Sequence, residues 1–311
     1  MIIREATLAD TAHIVQLLKL SLGDVSTEKS TAYWRWKHID NPFGPSHVLL
    51  AEQDGLMTGV RAFMQWRWTD GQREFTALRA VDTATHPDYR GQGIFKKLTL
   101  ALIERRREAG DDFIFNTPNA QSKPGYLKMG WREVGRLPVS LRIRRPIALL
   151  KNKVAEPPPI DLPIVSTKMD WAATYDLGAG PQVGRWSTAL RAGFLRWRYR
   201  DCPVVEYTAV GVPERYVLVV HPKVGAYGLE LRIVESRVAP PYAAEARAAL
   251  NRLIRQYRPV YVTAAPGGVL ATGLGWVRLS VGPTLTYRAL TFDQPPLLKD
   301  WRYALGDMEL F

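Results

Sequence analysis

The sequence predicts an α/β (α+β) protein in which one mixed-sheet fold occurs twice. Strand-like and helix-like segments alternate through each half, which is typical of helices packed on a sheet. The segment 35–42 recurs as 196–203, at an offset of 161 residues, with Arg, Trp, Asp and Pro identical. Gly130-Trp131 recurs as Gly275-Trp276, at an offset of 145 residues. Two ordered anchors with similar elements between them indicate a duplicated fold.

Each element of the first copy follows from local signals. Asp10 is placed to cap a helix with one apolar face, and Asn41-Pro42 ends the next helix. Asp54-Gly55 and Asp70-Gly71 are turn signals between strands. A glycine pair then precedes a long charged helix. The predicted strands lie at 2–5, 47–52, 59–68, 75–85, 113–116 and 132–144, and the predicted helices at 11–22, 30–39, 94–108 and 122–128.

A proline-rich segment separates the copies. Pro157, Pro158, Pro159 and Pro163 disfavour a helix or a central strand and favour extended backbone. A chain of 311 residues is also long enough for two domains of roughly 100–150 residues each. We therefore predict domains at 1–147 and 164–311, joined by a linker at 148–163.

Composition excludes several classes of protein. A single cysteine, Cys202, rules out an intrachain disulfide framework, and five scattered histidines show no metal-ligand spacing, so no metal site is predicted. No apolar run approaches the ~20 residues of a membrane helix, and the first residues contain no apolar signal core. We expect a cytoplasmic protein without membrane insertion.

The net charge of +12 is spread evenly along the chain. Residues 1–150 contain 22 Lys and Arg against 16 Asp and Glu, and the remaining residues contain 20 against 14. Nucleic-acid-binding proteins more often concentrate basic charge in one patch. An even surplus is compatible with a phosphate-bearing cofactor or an acidic acceptor.

Alternating Trp and Arg residues offer a second interpretation, because such runs can stack bases and hold phosphates. The runs are Trp34-Arg35-Trp36, Trp66-Arg67-Trp68 and Arg196-Trp197-Arg198. The first and third belong to the repeated segment, so packing explains them better. The middle run is predicted to form an alternating edge strand. A nucleic-acid partner is therefore not expected.

The most informative segment is Arg90-Gly91-Gln92-Gly93, which lies between a predicted strand and a predicted helix. Glycines there allow consecutive N–H groups to face one point, and the helix N-terminus adds its positive dipole end. Such a loop binds a diphosphate, although an ordinary turn has the same composition. No Gly-Lys-Ser/Thr follows, so this is not a Walker loop.

This segment resembles the coenzyme A pyrophosphate loop, Arg/Gln-x-x-Gly-x-Gly/Ala, of the GCN5-related N-acetyltransferase (GNAT) superfamily. A second segment, Asn119-x-x-Ser122-x-x-x-Tyr126-x-Lys128-x-Gly130-Trp131, is similar to that family's Asn-x-x-Ala-x-x-x-Tyr-x-Lys-x-Gly-Phe signature. The resemblance covers roughly residues 1–145. It implies two tandem GNAT-like domains, each with a mixed, mostly antiparallel sheet flanked by helices. It also implies acetyl-CoA as the cofactor, bound by Ala84, Thr85, Arg90, Gly91, Gln92, Gly93, Ile94, Phe95, Asn119 and Ser122. Phe95 departs from the family, which usually has a small residue there.

The resemblance also assigns chemical roles for acetyl transfer to an amine. Tyr126 matches the family's general acid, which protonates the departing thiolate, although a packed aromatic is the alternative. A strand N–H near Ala84 or Thr85 is expected to hold the oxyanion. Asp82 is the candidate general base that takes a proton from the amine. Glu74 and Glu133 are weaker candidates, and a water relay needs no carboxylate.

The second copy lacks these features. Its matching region is 12 residues shorter and contains Val238-Ala239-Pro240-Pro241, and Ala271 stands where the tyrosine is expected. Proline has no N–H, so this copy is not expected to bind coenzyme A. The sequence therefore predicts an acyl-CoA-dependent N-acyltransferase with a degenerate second domain. The alternatives are a Fem-type transferase that uses aminoacyl-tRNA, or a non-catalytic binding protein. The acceptor is an amine on a small molecule, an amino sugar or a peptide.

Overall fold

The computed structural model describes residues 1–23, 27–151, 169–171 and 183–308, without the side chains of residues 149–151. The first half follows the predicted order of strands and helices. The Ser30 hydroxyl accepts a hydrogen bond from the Tyr33 N–H and so caps the second helix. Its elements are β1 Ile2–Glu5, α1 Thr11–Leu22, α2 Thr31–His38, β2 His47–Gln53, β3 Leu56–Thr69, β4 Glu74–Thr85, α3 Ile94–Glu108, β5 Phe113–Asn116, α4 Lys123–Lys128, β6 Arg132–Arg136, β7 Val139–Ile143 and α5 Pro146–Lys151.

The second half repeats the central part of this order. A π-helical turn, Arg196–Arg200, stands where the repeat places the counterpart of α2. A long helix again connects two strands, as α3 connects β4 and β5. The elements are β8 Ser187–Thr188, β9 Thr208–Val212, β10 Tyr216–Gly225, β11 Gly228–Val238, α6 Ala243–Tyr257, β12 Tyr261–Ala264, β13 Val277–Leu279, β14 Thr284–Ala289 and α7 Leu305–Met308.

The strands form two mixed, mostly antiparallel sheets, which confirms the predicted fold class. The first sheet has the order β1-β2-β3-β4-β5-β14-β6, with β8 paired to the end of β3, and the second has the order β13-β7-β12-β11-β10-β9. The parallel pairs among the described strands are β4 with β5 and β11 with β12. Each is joined by a long helix, because parallel neighbours need a crossover connection.

The two sheets exchange strands. β14, from the second half, lies between β5 and β6 of the first sheet, and β7, from the first half, lies between β12 and β13 of the second sheet. β7 and β14 begin 145 residues apart, the same offset as the Gly-Trp anchors. Residues 152–163 of the predicted linker lie outside the described residues, so the boundary at 148–163 stays a prediction. The exchange means that neither predicted domain contains every strand of its own sheet.

The repeated tryptophans lie at the contact between the halves. The indole N–H of Trp36 donates to the backbone oxygen of Trp197 at 2.6 Å, and the indole N–H of Trp197 donates to the backbone oxygen of Trp36 at 2.7 Å. The two rings stack with centroids 5.2 Å apart. Such reciprocal contacts are expected where a pseudo-twofold axis relates two copies of one fold.

This packing accounts for the Trp-Arg runs. The tryptophans at 34, 36, 66, 68 and 197 are all buried, so none presents a ring face for stacking on a base. The prediction of an edge strand at Trp66–Trp68 is corrected by the structure. β8 pairs with Trp68 and Thr69 and covers that side of β3, because the second half packs against it.

Candidate active site

The site is organised by a gap between β4 and β5. These strands pair only at residues 77–79 with residues 113–115, whereas β4 continues to Thr85 alongside β3. The register of β3 and β4 shifts between Arg61 and Ala62, opposite Asp82, which has a positive φ of 23°. A bulge of this kind bends the strand and re-aims its side chains. The carboxyl ends of β4 and β5 are therefore splayed where β4 leads into the glycine loop.

The glycine loop presents unpaired backbone donors. Gly91 and Gly93 have φ values of 79° and 72°, a conformation that other residues rarely adopt. Within the part of the chain that the structure describes, the N–H groups of Gly91, Gln92 and Gly93 have no hydrogen-bond partner. A Cβ at Gly91 or Gly93 meets no atom within 4 Å, so the space in front of the loop is open.

The loop leads directly into α3, which adds its own free N–H groups and its dipole. Ile94, the first helical residue, is buried and fixes the helix against the sheet. Arg90 is exposed, and its guanidinium donates to the backbone oxygen of Ser21 at 3.2 Å. The same serine hydroxyl donates to the backbone oxygen of Thr85 at 2.9 Å. Ser21, near the end of α1, thus contacts both the last residue of β4 and the first residue of the glycine loop.

Tyr126 is buried, with 4% of its surface exposed, in the apolar cluster that α3 forms with the first sheet. Its ring makes edge contacts with Trp131 at 5.0 Å and with Phe95 at 5.7 Å between centroids. Phe95 therefore points to Tyr126 and to Gly125, where a Cβ would lie 3.3 Å from its ring. The bulky residue at this position of the motif consequently packs against α4.

Asn119 and Ser122 form a hydrogen-bonded turn directly before α4. The Asn119 side-chain oxygen accepts from the Ser122 N–H at 2.8 Å and from the Ser122 hydroxyl at 2.9 Å. Both residues are at least partly exposed. This contact gives each of them a structural role, and their proximity to the cofactor stays a prediction.

Asp82 belongs to a buried cluster between β4 and α2. One carboxylate oxygen lies 2.6 Å from the Lys37 ammonium and 2.8 Å from His38 Nε2. Burial by itself would raise the pKa of Asp82, but the Lys37 charge and the hydrogen bond from His38 hold it well below its usual range. A carboxylate with so low a pKa is a weak base, so the site does not favour Asp82 as the proton acceptor.

The other two members of this cluster were not predicted from the sequence. Burial is the largest influence on His38 and lowers its pKa. Neutral His38 donates from Nε2 to the Asp82 carboxylate, which can only accept, and its Nδ1 accepts from the Ser46 hydroxyl at 2.9 Å. Burial would lower the pKa of Lys37, but the Asp82 charge raises it. Lys37 and His38 are part of a repeated Trp-rich helix segment, so their sequence context indicated packing.

The weaker carboxylate candidates lie in ion pairs. Glu74, at the start of β4 and far from the splayed end, pairs with Arg191 from the second half. Glu133 pairs with Lys123 at 2.9 Å. Both glutamates are exposed.

Arg61 is a further residue that sequence reasoning missed. It lies on β3 with no exposed surface, and its Nη1 donates to the Tyr126 hydroxyl oxygen at 2.9 Å. A single arginine in an apolar strand carries no sequence signal for such a contact, since most arginines are exposed.

The second copy differs as the sequence indicated. β11 ends at Val238, and the turn Pro240–Tyr242 leads into α6 without a glycine loop. A cavity of about 590 Å³ lies instead against the second sheet. It is lined by apolar side chains of β7 and α7, by Tyr261 and Thr263 of β12, and by the charged Glu230 and Arg232 of β11. This cavity is separate from the glycine loop and from Tyr126.

Among the residues that the structure describes, no group of three or more His, Cys, Asp or Glu side chains is placed to hold a metal ion. In the same residues, no helix is long and apolar enough to cross a membrane.

Comparison with known proteins identifies the class of this site. Residues 2–134 match the sequence profile of the GNAT acetyltransferase domain. This match covers less than half of the chain, and within it the first half is similar to a GNAT acetyltransferase domain. The glycine loop, the splayed β4 and β5, and Tyr126 all lie within the matched residues.

Two curated relatives are similar over part of this domain. The L-amino acid N-acyltransferase MnaT of Escherichia coli is 40% identical over 63 residues, which are 20% of this chain and 35% of the relative. The L-methionine sulfoximine/L-methionine sulfone acetyltransferase of Salmonella typhimurium is 31% identical over 94 residues, which are 29% of this chain and 53% of the relative. The chain thus spans about a third and about half of these relatives.

The fold of the whole chain also has a solved counterpart. A GCN5-related N-acetyltransferase from Anabaena variabilis superposes with a TM-score of 0.65 at 12% identity, covering 93% of this chain and 73% of that protein. At this identity the likeness shows the fold alone. It extends over both halves, in agreement with a tandem arrangement of GNAT-like domains.

Proposed function

We propose that the protein is an acyl-CoA-dependent N-acyltransferase that transfers an acetyl group from acetyl-CoA to an amine. The observation that carries this proposal is the set of unpaired N–H groups at Gly91, Gln92 and Gly93, directly before the N-terminus of α3. Backbone donors of this kind, with open space in front of them, suit the diphosphate of coenzyme A. The cofactor's pantetheine arm would extend from there into the gap between β4 and β5.

The residues around this gap suggest the steps of the transfer. The amine attacks the thioester carbon, and a β4 N–H near Ala84 or Thr85 stabilises the oxyanion. The C–S bond breaks, its electron pair goes to sulfur, and Tyr126 donates its phenolic proton to that sulfur. The amine loses its proton to solvent through water in preference to Asp82, whose charge is neutralised by Lys37.

The acceptor is proposed to be the amino group of a small molecule of amino-acid type. The two curated relatives are named for acyl transfer to an L-amino acid and to L-methionine sulfoximine or sulfone. Amino sugars and peptide amines are the alternatives within the same reaction. The second half contributes β14 to the catalytic sheet and packs against β3 through β8, so its proposed role is to support the site.

Calorimetry with acetyl-CoA tests the cofactor assignment. Gly91→Glu places a carboxylate in the proposed phosphate space and should weaken acetyl-CoA binding by at least tenfold. Gly110→Glu is the matched control, because Gly110 also has a positive φ and an open Cβ position but lies beyond the far end of α3. Equal affinity in both variants would exclude the loop as the cofactor site.

Thiol release from acetyl-CoA, measured against panels of L-amino acids, amino sugars and peptides, tests the acceptor. Tyr126→Phe keeps the ring and removes the proton donor, so cofactor binding should persist while kcat falls by about 10²-fold or more. Unchanged turnover would show that another group protonates the thiolate. Binding of charged tRNA, with no affinity for acetyl-CoA, would instead favour a Fem-type transferase, which the net charge of +12 would also suit.

A further inference from the structure

Arg61 is a buried cation without a counter-ion. None of its surface is exposed, and among the described residues no carboxylate lies within ion-pair distance of it. Its hydrogen bonds are made by Nη1, to the Tyr126 hydroxyl at 2.9 Å and, at the 3.5 Å limit, to the Val81 backbone oxygen. Its Nε and Nη2 atoms are buried and have no partner.

Aromatic rings surround the rest of the guanidinium. Its central carbon lies 4.8 Å from the ring centre of Phe63, 5.3 Å from that of Tyr126 and 5.7 Å from that of Phe95. Contacts between a cation and ring faces offset part of the loss of hydration. They do not replace a carboxylate, and an apolar side chain of similar volume would fill this space at lower cost. Packing alone therefore does not account for an arginine here.

We propose that Arg61 is a positioning residue that directs the proton of Tyr126 towards the departing thiolate. This inference rests on the proposed function. Guanidinium groups only donate, so the Tyr126 oxygen must be the acceptor in their contact. The phenolic hydrogen then points away from Arg61 and is available to another acceptor. Arg61 itself is fully buried and reaches the reaction only through Tyr126.

The proton balance of the step explains why a cation is useful at this place. When the C–S bond breaks, sulfur takes the electron pair and the Tyr126 proton, which leaves a phenoxide beside Arg61. A charge-assisted hydrogen bond from Nη1 stabilises that phenoxide more than it stabilises the neutral phenol. The phenoxide later recovers a proton from solvent, which has received one from the amine. The interaction is therefore stronger after proton transfer than before it, as catalysis requires.

A double-mutant cycle tests the inference. Arg61→Met removes the charge and the donors, and it is made in the wild-type chain and in Tyr126→Phe. Release of the coenzyme A thiol is measured in two reactions. One contains an amine that the enzyme accepts, and the other contains no acceptor and measures hydrolysis of acetyl-CoA. In the wild-type background kcat should fall by about 10–10²-fold, while the KM for acetyl-CoA changes by less than about threefold. In Tyr126→Phe the same substitution should change kcat by less than about twofold, since Arg61 acts through the hydroxyl.

Additional variants separate positioning from folding. Arg61→Lys keeps a charged donor and should recover part of the lost kcat, whereas Arg61→Gln should recover less. Urea unfolding of Arg61→Met should show no loss of stability, because the substitution removes an unpaired buried charge. If that variant does not fold, Arg61→Lys and Arg61→Gln replace it in the double-mutant cycle. Equal losses of kcat in both backgrounds, or no loss in either, would overturn the inference. Calorimetry distinguishes this result from a failure of the proposed function, because in that case acetyl-CoA would not bind the wild-type protein.

Discussion

The reciprocal contact of Trp36 and Trp197 gives a quantitative test of how the two halves are joined. Each indole N–H donates to the backbone oxygen of the other tryptophan, and both residues are buried. Replacing Trp36 with Phe removes one donor and leaves the backbone oxygen of Trp197 without it. A buried acceptor that loses its partner costs about 1–3 kcal/mol, and the smaller ring adds the cost of lost packing.

Trp68→Phe is the matched control for this substitution. Trp68 is equally buried, but its indole nitrogen has no hydrogen-bond partner. Its replacement therefore loses the same volume and removes an unsatisfied donor instead of a hydrogen bond. We expect Trp36→Phe to lower the free energy of unfolding by about 1–3 kcal/mol more than Trp68→Phe does.

Urea unfolding followed by far-UV circular dichroism measures the difference, with equal m-values required for the comparison. Trp197→Phe should match Trp36→Phe, because the contact is symmetric. The double variant should cost less than the two single variants added together, since each replacement already disturbs the shared ring contact. If Trp36→Phe and Trp68→Phe agree within about 0.5 kcal/mol, the reciprocal hydrogen bonds do not join the halves as argued.

Three further perturbations follow from the structure. Two fragments expressed separately, residues 1–147 and residues 164–311, should not unfold cooperatively. The reason is that the buried Leu285 and Tyr287 of β14 belong to the first sheet. A cooperative transition of either fragment alone would contradict the strand exchange. Gly59→Ala should weaken acetyl-CoA binding, because the new Cβ at residue 59 would lie 2.5 Å from Ile94 at the start of α3. Calorimetry measures the effect, with Gly110→Ala as the control. Unchanged affinity would show that the loop tolerates a shift of this helix. Burial lowers the pKa of His221 to about 4, so the unfolded chain binds more protons between pH 6.5 and 4, and stability should fall as the pH falls through that window. Urea unfolding at pH 7 and at pH 4.5 measures this fall in the free energy of unfolding. After allowance for solvent screening, His221→Phe should make the fall smaller by on the order of 1–2 kcal/mol. An identical pH dependence in the variant would refute the assignment.

The sequence by itself determined the element order, the duplication and the cofactor motif. These depend on local signals: glycines before a helix, caps, turn residues and the spacing of residues 119–131. Such signals act within one or two neighbouring elements, so they are readable without knowing how the chain closes on itself. The GNAT motif at Arg90–Gly93 is of this kind, and the family match over residues 2–134 agrees with it.

Only the tertiary structure decided which strands complete each sheet and which charges meet. The exchange of β7 and β14 depends on contacts between residues 118–176 positions apart, such as Thr286 opposite Asn116. Neither strand's sequence specifies its partner. The environment of Asp82 depends likewise on Lys37 and His38, which α2 brings to β4. Arg61 acquires its contact with Tyr126 because the fold brings α4 to β3. In each case the free energy of a buried group depends on the hydration that burial removes and on the hydrogen bond or charge that a distant residue supplies. The pattern of residues along the sequence contains neither quantity.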